Sequence, residues 1–407
     1  MYAWHVQSWK LGLVAAGAAL QLNAHAQEGM AHVAVGPAAT TSAPEYLADL
    51  KNYMTTYRDA IGREITSGDA SIYYRTSYYL HGLAAGAEAS GDIEIMDQLV
   101  GFAEQMMAQA KPLVRNGVTY LEFGPWDPNG NPQMLNTFQA TGALARTAAV
   151  IAGRPLFKAR YGAKARQIAA FVEQSIFSYW FDKKSGVYSD PRSPRLGGII
   201  PWLPVSLGGW GTYPVWNDKC SHLGMISTWM YQATGKPIYL EYATRVAKGF
   251  RGHVTEQNGC WIWDKGIVPV TPGVNRVGSP DTSHANREPM MLVSMHEAGI
   301  VFNRSDIKAV AATFTNLIWN QSETDPKFSN FIDGGNLMYE SNMPWENGIV
   351  YHGWDMLGRY SAPAQQVLAN SYRAMKVGAA LNPSLAHNFT SYGRILLSGT
   401  LARNIAQ

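Results

Sequence analysis

The sequence predicts an all-α protein, an (α/α)6 toroid: an incomplete barrel of six helical hairpins, seven if the count is off by one, with short β-hairpins in its rim loops. Three observations carry this expectation. Helical segments come in two kinds, the kinds alternate along the chain, and the links between them are lopsided. One kind is amphipathic, with apolar residues at three- and four-residue spacing: YLEYATRVAKGFRGH (239 to 253), ARYGAKARQIAAFVEQSIF (159 to 177) and SDIKAVAATFTNLIW (305 to 319). The other is apolar or small nearly all round: LNTFQATGALARTAAVIAG (135 to 153), HLGMISTWMYQATG (222 to 235) and PMMLVSMHEAGIVF (289 to 302). A helix without a polar face has to be covered on every side, so the second kind makes an inner layer.

In chain order, outer 45 to 64 pairs with inner 71 to 89, 92 to 112 with 135 to 153, and 160 to 180 with 222 to 235. The remaining pairs are 237 to 252 with 289 to 302, 305 to 320 with 348 to 361, and 364 to 380 with 388 to 404. Links after inner helices are short and punctuated (ASGD, AGRP, TGKP, FNRSD, SAPA), whereas those before them are long: 113 to 134, 181 to 221, 253 to 288 and 321 to 347. Long loops cost little added closure entropy and commonly carry function. All of them emerge over the N-terminal ends of the inner helices, on one rim.

The toroid is expected as a single domain over 44 to 407, behind a signal peptide (1 to 26) and a small, polar leader (27 to 43). The signal peptide is read from a weakly positive start, a short apolar run and Ala24-His25-Ala26 before Gln27. It implies a secreted or periplasmic protein. No later segment is long and apolar enough to span a bilayer, so no membrane partner is expected. Removing Lys10 takes the formal net charge from +3 to +2, which argues against nucleic acid as a partner. Charged residues are only 15% and aromatic ones 12%, with 13 Trp and 21 Tyr; flat rings outside helices suit the apolar faces of sugars. Cys220 and Cys260 allow one disulfide or none, and without a CxxC they argue against structural zinc.

The unusual residues gather in the rim loops: GPWDPNGN (124 to 131), PWLPVSLGGWGTYPVWNDKCSH (201 to 222), GCWIWDK (259 to 265), NRVGSPDTSHANREP (275 to 289) and MYESNMPWENGIVYHGWD (338 to 355). Proline suits a first helical turn, so the helix after SPDTSHANREP is expected to begin near Pro289, with His284, Asn286 and Arg287 in the loop above it. His222 and His352 take equivalent places before neighbouring inner helices. Three histidines raise the question of a metal, but there is no HExxH or close His pair, and no metal or other cofactor is expected. Phosphate-binding GxxxxGKS and nucleophile-elbow GxSxG patterns are absent as well.

His, Arg, Asn and Tyr together suit β-elimination at a uronic acid. The C5 proton is weakly acidic, so Arg or a neutral donor has to stabilise the charge that develops on the carboxylate. A His or ionised Tyr takes the proton, and an acid protonates the departing O4. The helix order, the signal peptide and the pattern of Asn217 with Ser221-His222, then Arg276 and His284, resemble secreted (α/α)-toroid polysaccharide lyases of the alginate and glucuronan lyase type. The resemblance covers about residues 45 to 400 as architecture, on short motifs.

It implies a monomeric polysaccharide lyase acting on a β-1,4-linked uronic-acid polymer, glucuronan or polymannuronate. His222 would be base or carboxylate neutraliser, Asn217 or Asn286 a neutraliser, and Arg276 or Arg287 a carboxylate clamp. Alginate lyases of this type carry a Tyr shortly after the Arg, and here that place is Ser283. Either His284 takes over part of the proton transfer or a Tyr arrives from another loop, with Tyr351, Tyr339 and Tyr213 available. Trp126, Trp216, Trp345, Gln139 and His352 complete the expected substrate contacts, and Lys219 is a further local cation for an anionic polymer. A glycoside hydrolase is the main rival. It needs two carboxylic acids about 5 to 9.5 Å apart, and Asp127, Asp218, Asp281, Glu346 and Asp355 lie in the rim loops. A non-enzymatic glycan-binding protein is the third reading.

Overall fold

The computed structural model describes residues 44–124, 132–181, 188–189, 201–202, 217–265, 278–322, 326–335, 348, 350, 352–376 and 391–406. The expected signal peptide and leader lie outside them. Six inner segments form the ring: α3 (Ala70–Ser90), α5 (Met134–Gly153), α7 (Asn217–Thr234), α9 (Arg287–Glu297), the 3-10 turn Asp355–Arg359 and α12 (Ser391–Ile405). Each packs on the next, and α12 packs back on α3, so the ring closes. Around it lie α1 (Pro44–Thr56) with α2 (Arg58–Ile65), α4 (Ile93–Met107), α6 (Pro155–Val172), α8 (Pro237–Arg251), α10 (Arg304–Ala312) and α11 (Ala362–Lys376). The (α/α) toroid expected from the sequence is the fold observed.

The closure between α3 and α12 depends on two glycines. A Cβ at Gly82 would lie 2.6 Å from the Ile395 carbonyl oxygen, and one at Gly399 would lie 2.0 Å from the carbonyl of Gly82. The two backbones therefore touch where the first and last inner helices meet.

The outer helices show why the amphipathic pattern was readable. In α8, Tyr239, Ala243, Val246, Ala247 and Phe250 are buried while Glu241, Arg245, Lys248 and Arg251 stay on the outer side. Starts are capped as the sequence allows: Asp92 accepts from the Glu94 and Ile95 amides at α4, and Asn303 with Asp306 forms a capping box at α10. The last turns of α6 and α10 widen into π geometry at Glu173–Ser178 and Thr313–Ile318.

Several expected boundaries are corrected. The first outer helix breaks at Tyr57 into two. The second ends at Met107, because Lys111 precedes Pro112 and is pushed to extended backbone. There β1 (Lys111–Arg115) and β2 (Val118–Glu122) form a hairpin turned by Asn116 and Gly117, both at positive φ. Two smaller arms follow, β3 (Tyr188–Ser189) with β4 (Pro201–Trp202), and β5 (Thr255–Gln257) with β6 (Cys260–Ile262). The inner helix expected over 348 to 361 is reduced to the turn 352–354 and Asp355–Arg359, since Gly353 has φ +120, where a helix cannot continue. Helix α9 begins at Arg287 rather than near Pro289; proline is tolerated there because first-turn amides have no helical partner. Cys220 and Cys260 are both buried, and no disulfide joins them. Among the described residues no helix is long and apolar enough to cross a membrane.

Candidate functional site at the mouth of the ring

Three of the inner helices carry a stripe of larger polar or aromatic side chains at seven-residue intervals. Seven residues advance an α-helix by about 10 Å and bring it back to nearly the same face. On α3 the stripe is Tyr74, His81 and Glu88; on α5 it is Gln139 and Arg146; on α7 it is His222 and Trp229. These side chains meet across the axis in three tiers.

The lowest tier is ionic. Arg403 of α12 pairs with Glu88 of α3 and Glu297 of α9, and Arg359 reaches Glu297 at 3.2 Å. Burial works to raise the Glu88 carboxyl, but Arg146 and Arg403 hold it down at about 2. In the middle tier, Arg146 crosses from α5 to the opposite side of the ring, with Nη1 at 3.1 Å from His352 Nε2 and 3.4 Å from His81 Nδ1. The other ring nitrogen of His352 faces Asp355 at 2.9 Å. The His81 ring lies tilted against those of His352 and Trp229, with centroids 5.0 and 5.8 Å apart. Burial lowers His81 well below the ordinary imidazole value, reinforced by His352, Arg146 and His222.

The top tier sits at the mouth. Arg287 opens α9 and is fully buried, and its guanidinium fans out to four acceptors. Nε donates to His222 Nε2 at 2.8 Å, Nη1 to the His284 carbonyl at 3.2 Å and to Asn286 Oδ1 at 3.3 Å, and Nη2 to the Tyr74 hydroxyl. The Tyr74 ring also lies over the guanidinium, 5.5 Å from centroid to carbon. Beside them Gln139 Nε2 donates to Ser77 Oγ at 3.1 Å. Behind them Ser221 donates to Glu288 at 3.1 Å.

Among the described residues of this tier, Tyr74, His284 and Asp281 reach solvent. Tyr74 is half-buried. The His284 side chain is 57% exposed, and its Nδ1 lies 2.7 Å from Asp281 Oδ2. Asp281 is fixed in turn by the Ser283 hydroxyl and the His284 amide. Burial opposes its ionisation, but the hydrogen bond and charge of His284 prevail and bring Asp281 to about 2. An imidazole whose Nδ1 faces a carboxylate has its tautomer set, and its protonated form is stabilised.

The placement of the remaining expected residues divides three ways. His222, His284, Asn286, Arg287 and Gln139 come together at the mouth. His352 and Asp355 do not: they are buried in the middle tier, and Asp355 is no rim carboxylate. Arg287 is in the helix rather than in the loop, and Asn286 has both ends of its amide engaged, its Nδ2 donating to the His352 carbonyl at 2.7 Å. Trp126, Asp127, Tyr213, Trp216, Arg276, Tyr339, Trp345, Glu346 and Tyr351 lie outside the described residues, as do the side chains of Asn217 and Asp218. Tyr74 was missed. Its signal was the seven-residue stripe, which puts a phenol above His81 and Glu88 in a helix otherwise read only as packing. Among the described residues, no group of three or more His, Cys, Asp and Glu is placed to hold a metal ion.

No family model matches the sequence, and no curated protein does. Solved structures with a similar helical ring include an unsaturated glucuronyl hydrolase from Bacillus sp. GL1, at 11% identity and TM-score 0.47, covering 89% of this chain and 96% of that one. A family 76 glycoside hydrolase from a bovine Bacteroides thetaiotaomicron strain is similar at 12% identity and TM-score 0.45, over 82% of this chain and 68% of that one. An inactive variant of an α-1,6-mannanase of Salegentibacter sp., in complex with α-1,6-mannotetrose, is similar at 12% identity and TM-score 0.44, over 84% and 98%.

Proposed function

We propose that this chain is an exported polysaccharide lyase that cleaves a β-1,4-linked uronic-acid polymer, glucuronan or polymannuronate, by β-elimination. The observation that carries the reading is the Arg287 fork: one guanidinium holds the hydroxyl of Tyr74 and the backbone of His284, two proton carriers that reach solvent among the described residues of the mouth. A phenol and an imidazole suit elimination, whereas a glycosidase needs two carboxylic acids.

In this scheme Tyr74, oriented by the Arg287 guanidinium, is the base that takes the C5 proton. Asp281 favours the imidazolium of His284, which protonates O4 as the C4–O4 bond breaks and the C4–C5 double bond forms. Arg287 acts through Tyr74, because its own side chain is closed off from solvent. Arg276 and Asn217 remain the candidates for neutralising the substrate carboxylate, and the rim tryptophans for stacking on the sugar rings. Export is part of this proposal, supported by the signal-peptide pattern of residues 1 to 26; recovery of the protein from the periplasm or medium with Gln27 as its first residue would bear it out.

The test incubates the protein, with EDTA present, with glucuronan, alginate, hyaluronan and a neutral β-glucan. Elimination leaves a conjugated double bond at the new non-reducing end, so ultraviolet absorbance should rise together with reducing ends on one of the uronic-acid polymers. New reducing ends without that absorbance would replace the lyase by a hydrolase. Binding without either product would leave a glycan-binding protein.

A further inference from the structure

His222 is the residue a reader would choose as the base, being a histidine at the head of an inner helix. The geometry points to another role: we infer that His222 is a positioning residue, a neutral acceptor that aims the Arg287 guanidinium at Tyr74. This rests on the lyase reading given above.

Three observations carry it. His222 Nε2 stands 2.8 Å from Arg287 Nε, a nitrogen that can only donate, so Nε2 presents its lone pair and the imidazole proton sits on Nδ1. His222 is 2% exposed, far less than His284 or Tyr74, which makes it the least accessible of the three. A guanidinium is planar and rigid, so holding Nε and Nη1 fixes where Nη2 points. Here Nε is held by His222, Nη1 by the His284 carbonyl and Asn286 Oδ1, and Nη2 meets the Tyr74 hydroxyl. His222 thus sets the side of the fork that the backbone of the 284–287 turn does not reach.

The charges around the ring agree with this assignment. Burial lowers His222 well below the ordinary imidazole value, and the Arg287 cation lowers it further. Among the described residues, the titratable and charged groups around His222 include Arg287 from α9 and, from α3, Tyr74 and His81, the last also held well below its ordinary value. To accept a substrate proton at Nε2, His222 would have to drop the Arg287 N–H and put two cations side by side in a closed space, an arrangement that burial makes costly.

An acceptor role makes a demand that a base role does not: any neutral acceptor of similar reach should serve. His222→Gln places an amide oxygen where Nε2 was, whereas His222→Leu fills the space without an acceptor. We expect His222→Gln to keep kcat within about threefold of wild type with the same pH profile. We expect His222→Leu to lose about a hundredfold in kcat with little change in KM, since what it disturbs is felt in the transition state.

A folded His222→Gln variant as inactive as His222→Leu would overturn the inference while leaving the lyase reading intact. Nitrogen NMR of the wild-type imidazoles tests it without any variant. His222 should carry its proton on Nδ1 with Nε2 bare, and an Nε2-protonated ring would overturn the inference even if both variants fail to fold. A wild-type protein that makes no unsaturated product defeats the lyase reading instead, and the tautomer still decides whether His222 serves Arg287 as an acceptor.

Discussion

Glu122 ends β2 with its carboxyl fully buried against the first turn of α5. Oε2 accepts from the Thr137 hydroxyl at 3.0 Å, and Oε1 has no hydrogen-bond partner among the described residues. Burial pushes the carboxyl from its ordinary 4.5 up to about 8, against the smaller pull of Thr137, the Phe123 amide and Trp180. The folded protein therefore keeps a proton that the unfolded chain releases above pH 4.5. Unfolding releases that proton between about pH 4.5 and about 8, so raising the pH across this window favours the unfolded state, and the loss levels off above it. The gap, about 8 minus 4.5, is about 3.5 units; at about 1.4 kcal/mol per unit it caps the effect on the order of 5 kcal/mol. Glu122→Gln keeps an acceptor for Thr137 and removes the ionisation. Urea unfolding across the window should show wild type losing stability that the glutamine variant retains, with the two close together at the acid end. A difference between the two proteins that stays constant across the window would refute the reasoning.

Other expectations are as direct. Tyr74→Phe should lower kcat by about 10²- to 10⁴-fold in steady-state kinetics, and calorimetry should show a somewhat lower thermal midpoint, because Nη2 of the buried Arg287 loses its acceptor. Asp281→Asn leaves His284 exposed but removes the carboxylate that faces its Nδ1, so kcat should fall by about tenfold or more. Gln139 Oε1 is buried without a partner among the described residues, so Gln139→Met should raise stability by about 1 kcal/mol in denaturant titrations. Gly353→Ala would set a Cβ 1.8 Å from the Asn286 carbonyl oxygen at φ +120, and should cost about 3 kcal/mol or more.

The layers of the toroid were legible because each kind of helix solves a different burial problem. Residues 239 to 253 alternate faces at helical spacing, and residues 135 to 153 have no face to show to water. The segment 348 to 361 was not legible as a turn, since its apolar content suits an inner helix and only the backbone at Gly353 shows that helix cannot form there. At the site, the reading of SPDTSHANREP found His284, Asn286 and Arg287 but put Arg287 one step outside its helix. Tyr74 escaped because attention went to loops, while the partner of Arg287 comes from a helix 213 residues earlier in the chain. Sequence patterns report which face of one helix is wet or dry; they do not report which two helices face each other across an axis.

The tiers of side chains across the ring have a consequence for how the chain folds. Arg287 and Tyr74 are 213 positions apart, Arg146 and His352 206, and Arg403 and Glu88 315. Until the last inner helix arrives, Glu88 and Glu297 lack Arg403, and the two glycines that let α3 and α12 touch have nothing to touch. Neighbouring hairpins can assemble early from local contacts, but the final closure waits on the most distant pairings in the sequence, which are the slow ones. The half-built ring is an open crescent with ionised groups along its inner edge. Those charges keep that edge wet and discourage two crescents from sticking together before each has found its own end.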